Sequence, residues 1–350
     1  MEEMRWFRSK GHQLTLVAPA HSVLVEKASE EGFETANLLF TKNKIPGDLL
    51  RLFRIIGKFK PDVVATHSSV DSWAGLIAAK LRRVKCRVRY RHVSTPVKDY
   101  FLNRWQYRSL CHLVLTTGEC IRQPLLKKFS LHPDKVISAP TAVRPPDQML
   151  SKLDARKNLQ TELGLDAEAR FIGQVSVLRS WKGHTVLVEA FSEIADSFPN
   201  LHLVLVGEGP PVERVLKELI SQNQYLHRIH LVGYKPDPWP YFRAFEAAAL
   251  ASLSNEGIPQ SLLQAMYADI PVVGTEVGGI PEIVVDGKTG LLAKPGDAAS
   301  LAKALARILD DADLQESLVQ SAGDLVRKNF QWDALGTKIE DLFRRELTGP

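Results

Sequence analysis

Glu256, Gly257, Ile258 and Pro259, in the string SNEGIPQSLLQAM (254–266), stand where a strand-like run gives way to a helical one. Proline suits a first helical turn, where a missing N–H costs nothing. The free N–H groups of that turn can receive an anion or a hydroxyl. Gln264 follows Glu256 by about two helical turns, so both project to one side. Lys182, in VSVLRSWKGH (175–184), closes another strand-to-helix loop. An ammonium there can neutralise a phosphate as a point charge. Arg179 shares that loop. Taken singly, Glu256 reads as part of an ordinary capped helix, and Lys182 and Arg179 as solvated loop cations. LHLVLVGEGPPVERVL (201–216) places Gly207 and Gly209 after a strand, the opening of a dinucleotide fingerprint. Val212 occupies the third glycine position and no acid ends the next strand, RIHLVGY, so the match is weak.

The front half offers different chemistry. His92 ends the strand-like run CRVRYRH, and His67, Ser68 and Ser69 end PDVVATH. Imidazoles and hydroxyls at strand ends can hold sugar hydroxyls or phosphate; core packing for the histidines and helix capping for the serines are the plainer roles. Arg87, Arg89 and Arg91 alternate along one strand, with Lys80, Arg82, Arg83 and Lys85 just before it. They read either as a solvated face or as a bed for an anionic headgroup. Asp311-x-Asp313 lies between two helical runs, where one aspartate serves as N-cap, with a capping box from Glu316 if it is Asp313. No other residues cluster at metal-ligand spacing.

These residues need elements to hold them, and the chain alternates strand-like and helical runs from end to end. QLTLVA, PDVVATH, CRVRYRH, HLVLTT and KVISAP are the front strands; DLLRLFRIIGKF (48–59) and DSWAGLIAAKL, capped by Asp71, are helical. TAVRPPDQM (141–149) reads as a linker. RFIGQVSV, LHLVLVG, RIHLVG, EAAALASL and PVVGT repeat the pattern behind it. The expectation is an α/β chain of two doubly wound, Rossmann-like domains with a cleft between them: 1–145, then 146–330, with 331–350 as a helix crossing back to the first. A domain of this kind normally opens on a strand and a glycine-rich turn. Here the first run, EEMRWFRSKGH, is already helical, so the first strand and its loop are expected to be missing. Losing a central strand would leave two unpaired strand edges.

Composition agrees with a folded chain: 350 residues, 45 % hydrophobic and 24 % charged. No apolar run is long enough to span a membrane, and no signal peptide is legible. The three cysteines, Cys86, Cys111 and Cys120, read as reduced thiols of a cytoplasmic protein. The net charge of +5 hides a division. Residues 1–150 hold 25 Lys and Arg against 13 Asp and Glu, whereas 151–350 hold 20 against 27. A basic front half suits an anionic membrane surface or a phosphorylated substrate.

The long string from Ser254 through DIPVVGTEVGGIPEIVVDGKTGLLAKPGD resembles the retaining glycosyltransferases of family 4, which have the GT-B fold. The resemblance covers the chain from Gly11 onward and is strongest over 171–297. It implies a nucleoside-diphosphate-sugar donor on the back domain and a glycan or lipid-linked acceptor on the front domain, in lipopolysaccharide or other cell-surface polysaccharide synthesis. It implies metal-independent chemistry without a cofactor; no nucleic acid is expected, and the basic front half points to the inner face of the membrane. By the same resemblance Lys182, Glu256 and His92 would be catalytic, with Arg179, Gly207, Gly257, Ile258, Pro259 and Gln264 on the donor. His67, Ser68, Ser69 and Arg91 would lie on the acceptor side. Two positions depart from the pattern: Val177 where an arginine is expected, and Gln264 where a second glutamate is expected. A Lys182 ammonium buried in an internal ion pair would overturn this reading. A nucleotide-sugar epimerase, a nicotinamide-dependent oxidoreductase and a catalytically silent or impaired subunit of the same fold are the competing readings.

Overall fold

The computed structural model describes residues 1–40 and 45–349, so Pro350, the end of the 331–350 segment, lies outside the described residues. The chain forms two compact units: Met1–Pro140 with Trp332–Pro350, and Thr141–Gln331.

The first unit holds two parallel sheets. β1 (Thr15–Ala18) pairs with β2 (Glu34–Asn37), and β3 (Val63–Thr66), β4 (Cys86–Arg91), β5 (Leu113–Thr116) and β6 (Val136–Ser138) follow in that order in the other. β1 and β3 therefore each have a single partner strand among the described residues. Val17 of β1 and Val64 of β3 nonetheless pack on one apolar cluster that includes Leu52, Ile56, Ala74 and Ala78. Leu52 and Ile56 belong to the helix Ile45–Phe59, which packs an apolar face on that cluster. The helix Ser69–Leu81 is capped by Ser68, not by Asp71. Asp71 is the reciprocal member of a capping box, accepting from the Ser68 and His67 amides at 2.8 and 3.0 Å. At the chain ends, the helix Glu2–Ser9 packs on Trp332–Thr348: Trp6 lies over Gly336 and donates to Asp333 at 3.2 Å.

The arginines of β4 are not a solvated bed. Parallel strands are covered on both faces, so alternation does not bring their side chains to water. Arg89 is buried and bonded to Gln106, and Arg87 donates to the Leu110 and Val84 carbonyls at 2.6 and 2.9 Å.

The second unit is one continuous sheet. In chain order its strands are β7 (Arg170–Val175), β8 (Leu201–Val206), β9 (Ile229–Gly233), β10 (Phe245–Leu250), β11 (Val272–Thr275) and β12 (Leu291–Ala293). In space they run β12-β11-β10-β7-β8-β9, all parallel. The chain moves outward from β7 to β9, returns to the middle at β10 and moves outward the other way. The switch falls between β7 and β10. β8 and β10 are buried at every position, as expected for central strands. One apolar cluster lies around Phe171, Phe242, Phe245 and Met266, another around Leu187, Phe191, Leu305 and Ile308. Each buried large side chain of this kind contributes about 1.5–3 kcal/mol. The Phe245 ring sits against Gly173, where any side chain would clash. Glu246, buried at the start of β10, is neutralised by Lys152 at 3.1 Å and by Arg156, with Arg170 at 3.8 Å. Asp311 is the aspartate that caps the helix Ala312–Asn329, accepting from the Leu314 amide at 2.9 Å, with Asp313 inside the first turn.

Candidate functional site

In an open parallel sheet, ligands sit beyond the carboxyl ends of the strands at the switch point. In the second unit that place is defined by the loops after β7 and β10. Gln174, fully buried in β7, joins them: its carbonyl accepts from the Ala251 amide at 3.0 Å, and its NH2 donates to the Lys182 carbonyl at 3.0 Å. The Leu253 amide donates to the Trp181 carbonyl at 2.7 Å. Gly183, at φ +66°, lies so close to the Ala251 carbonyl that a Cβ could not fit. The sequence KGH is thus a loop pressed onto the end of β10.

Across this junction the Lys182 ammonium meets the Glu256 carboxylate at 2.7 Å. Asn255, in the left-handed region at φ 63°, turns the chain into Glu256. Ser252 donates to the same carboxylate oxygen at 2.6 Å, and Thr275 holds the Ser252 carbonyl at 2.6 Å. Gly278 and Gly279 lie against the backbone of Glu256 and Gly257, with no room for a Cβ on either. This internal ion pair is the contact that the sequence reading set against a free Lys182. It is not sealed: the lysine side chain keeps 18 % of its exposure and the glutamate 7 %. Gly257, Ile258 and Pro259 are buried, and the helix Gln260–Tyr267 begins without a side-chain cap. Pro259, its N-cap, offers the first N–H groups no side-chain acceptor. Gln264 is half-buried on the second turn.

Gly207 and Gly209 let the loop after β8 close onto the Ser176 and Leu178 carbonyls, a backbone packing role. Arg179 is exposed, with its guanidinium 5.4 Å from the Trp181 ring, and Val177 is also exposed. His184 is buried against the Ser176 hydroxyl at 2.9 Å; burial, then the Lys182 charge, lowers its pKa to about 4.

The first unit gathers a second set of residues at the ends of β3 and β4. His67 Nδ1 and His92 Nε2 are 3.1 Å apart, with parallel rings, and His67 also stacks on Tyr90 at 4.4 Å. One ring must donate and the other accept, so the contact requires at least one neutral imidazole. Desolvation by the surrounding protein, then the facing His92, lowers the His67 pKa to about 4, and desolvation lowers His92 as well, although both residues are exposed. Thr117 donates to the His92 carbonyl at 3.1 Å. The Ser68 hydroxyl is used as a helix cap, Ser69 is exposed on the first helical turn, and Arg91 donates to the Thr95 carbonyl.

Sequence reading missed Gln174, Ser252, His184 and Tyr90. The polar residue inside the apolar run FIGQVSV was the signal for Gln174.

Two family models match the chain: "Glycosyltransferase Family 4" over residues 1–145 and "Glycosyl transferases group 1" over 155–324. Among curated proteins, the D-inositol 3-phosphate glycosyltransferase of Corynebacterium efficiens is 30 % identical over 201 residues, covering 55 % of this chain and 47 % of that protein. The putative colanic acid biosynthesis glycosyltransferase WcaL of Salmonella typhimurium is 31 % identical over 211 residues, 57 % of this chain and 52 % of its own. The chain spans about half the length of the curated relatives it matches. In fold it is similar to a glycosyltransferase from Rickettsia africae (TM-score 0.87, 20 % identity, 100 % of this chain and 94 % of that one). It is likewise similar to Anabaena HepE solved with UDP and glucose (TM-score 0.81, 16 % identity, 98 % and 94 %).

Proposed function

The chain belongs to the GT-B glycosyltransferases, and from that premise we propose that it transfers a sugar, with retention of anomeric configuration, from a nucleoside-diphosphate sugar to a glycan or lipid-linked acceptor of the cell surface. The observation that carries the reading is the gathering of Lys182, Glu256 and the buried helix start at 257–259 beyond the β7/β10 switch point. Without a ligand, the carboxylate keeps the ammonium in place. A diphosphate brings more negative charge than one carboxylate and draws Lys182 to itself. Glu256 is then released to accept a donor-sugar hydroxyl, while Ser252 keeps it positioned. Lys182, Arg179 and the uncapped helix start after Pro259 stabilise the charge that grows on the leaving diphosphate. Gln264 contacts the ribose through a neutral amide. His92, beside His67, is the first unit's own candidate for a sugar contact, and the departing diphosphate takes the acceptor proton on the same face. UDP-glucose is the first donor to try, because HepE was solved with it.

No helix among the described residues is long and apolar enough to cross a membrane. The basic surplus of residues 1–150 supports work at an anionic bilayer surface on its cytoplasmic side.

Donor turnover, measured as UDP release with and without acceptor, tests the assignment. Lys182→Ala and Glu256→Ala are each expected to lower it by roughly 100-fold or more. Near-normal turnover in both would refute it. Gln264→Glu is expected to tighten donor binding by up to about tenfold, since a charged acceptor makes roughly twice the bond of a neutral one. A second reading, a subunit that binds donor without turnover, draws on Val177, Gln264 and the Lys182–Glu256 ion pair. Calorimetric donor binding with no UDP release under any acceptor would favour it.

A further inference from the structure

The segment after β4 carries an apolar group that the donor and acceptor residues leave unused. Tyr100, Phe101 and Leu102 are consecutive and exposed by 46, 76 and 47 %. They open the short helix Phe101–Trp105, which continues as the π-helical turn Gln106–Leu110. That turn is anchored: Tyr107 and Leu110 are fully buried in the core of the first unit. Trp105 stacks on Trp73 at 6.3 Å. The approach to the helix is tied down as well. Lys128 donates to the Val97 carbonyl at 2.8 Å, Asn103 to the Lys98 carbonyl at 2.7 Å, and Arg104 grips Asp99 through two bonds of 2.7 Å. The three apolar side chains are thus held outward by ordered structure. They are not a frayed end that could fold back.

The surroundings are cationic. Asp99 feels Arg104, Lys128 and Arg108, and Lys98 adjoins it in sequence, so four cations face one carboxylate. Lys80 lies 5.6 Å from the Trp105 ring. A protruding aromatic and aliphatic tip inside a basic collar matches the chemistry of an anionic bilayer surface. The rings enter the acyl boundary while lysine and arginine heads remain at the phosphates. A protein partner for the tip would not need the collar, and a neutral partner would leave it uncompensated.

We propose that Tyr100, Phe101 and Leu102 form an insertion tip by which the first unit docks on anionic lipid, with Lys98, Arg104, Arg108 and Lys128 as its electrostatic collar. This sharpens the membrane part of the proposed function and needs nothing from the donor site. The segment leaves the end of β4 that carries His92, so docking would bring lipid to the acceptor side of the unit.

Co-sedimentation of the whole chain with phosphatidylcholine vesicles, with and without phosphatidylglycerol, tests the proposal. The wild type is expected to partition about tenfold or more in favour of the anionic vesicles and to lose most of that preference in high salt. Phe101→Ser with Leu102→Ser is expected to lower partitioning by at least about tenfold, with the melting temperature and UDP-glucose binding unchanged. Lys98→Glu is expected to weaken partitioning to anionic vesicles alone. In a Phe101→Trp variant, brominated acyl chains should quench more fluorescence than in the wild type. No partitioning by the wild type, or full partitioning by the double serine variant, would overturn the tip. So would a concentration-dependent dimer, abolished by Phe101→Ser, that ignores vesicles. Failure of UDP-glucose binding with vesicle docking intact would instead count against the donor reading.

Discussion

The two units follow the same rule of alternating strand and helix but differ at the middle of the sheet. In Thr141–Gln331 the sheet is unbroken, and its switch point between β7 and β10 lies where two loops are pressed together. Gln174, Gly183, Gly278 and Gly279 do the joining, all through backbone contacts or close approach. In the other unit the strands divide between two sheets, so β3, which leads to His67, has a partner on one side only among the described residues. Ala65, in the middle of β3, is exposed, as no central strand of the second unit is. A site built on loops held by loops is pre-set before its ligand arrives; a site at a strand edge relies on side-chain stacking such as His67 on Tyr90. The donor-side geometry should therefore be the more rigid of the two.

The largest test of that difference compares two glycines. Gly183→Ala places a Cβ into the Ala251 carbonyl at a φ of +66°. Strain of about 1–3 kcal/mol from the backbone alone, plus the clash, should lower stability by roughly 3 kcal/mol or more and remove donor binding. Gly75→Ala, in the helix Ser69–Leu81, must push the buried Thr66 methyl, 2.8 Å away, by a small shift, offset by roughly 1 kcal/mol of helix propensity. Its net effect should stay within about 1 kcal/mol. Urea unfolding of both variants checks the pair, and equal losses would erase the contrast.

A smaller effect should appear in amide hydrogen exchange. β7 lies between β8 and β10, while β3 is bonded only to β4. The Val63–Thr66 amides should exchange with local opening energies about 2 kcal/mol or more below those of Arg170–Val175. Equal protection would mean that the divided sheet behaves as one cooperative layer.

Much of this was legible in the sequence, and unevenly. The long apolar runs RFIGQV, LHLVLV and EAAAL announced the second sheet because both its faces are buried. β2 (ETAN) holds no large apolar residue and β12 (LLA) no β-branched one, so neither read as a strand. The arginines of β4 were misread for a physical reason: alternation signals a wet face only in a half-exposed sheet. The cap on the helix at Ser69 was written in S-x-x-D from Ser68 to Asp71, with Ser68 as the cap and Asp71 as its reciprocal partner. The pairing of Lys182 with Glu256 was not legible, because it depends on which loops the strand order brings together. Phe101 was equally silent, since nothing local distinguishes an exposed phenylalanine from a buried one.

The smallest effect is on pH, and it separates the units through their histidines. His184 is buried beside Ser176, with its Nδ1 lacking a hydrogen-bond partner, and its pKa falls to about 4. An unfolded chain binds the proton near 6.5, so below that pH the unfolded state holds more protons than the native one. The stabilisation is complete above about 6.5 and is lost as pH falls towards about 4, at up to roughly 1.4 kcal/mol per pH unit for one group. His202, lowered to about 4 by burial and then by His230, adds to the same window in the same unit. His67 is lowered too, but it is exposed and water shares the charge, so its contribution is smaller. His184→Asn should therefore flatten the acid side of the stability curve, measured by urea unfolding, more than His67→Asn does. If His67→Asn flattened it as much, the strand-edge site of the first unit would be as tightly closed as the loop junction of the second, and the contrast between them would fail.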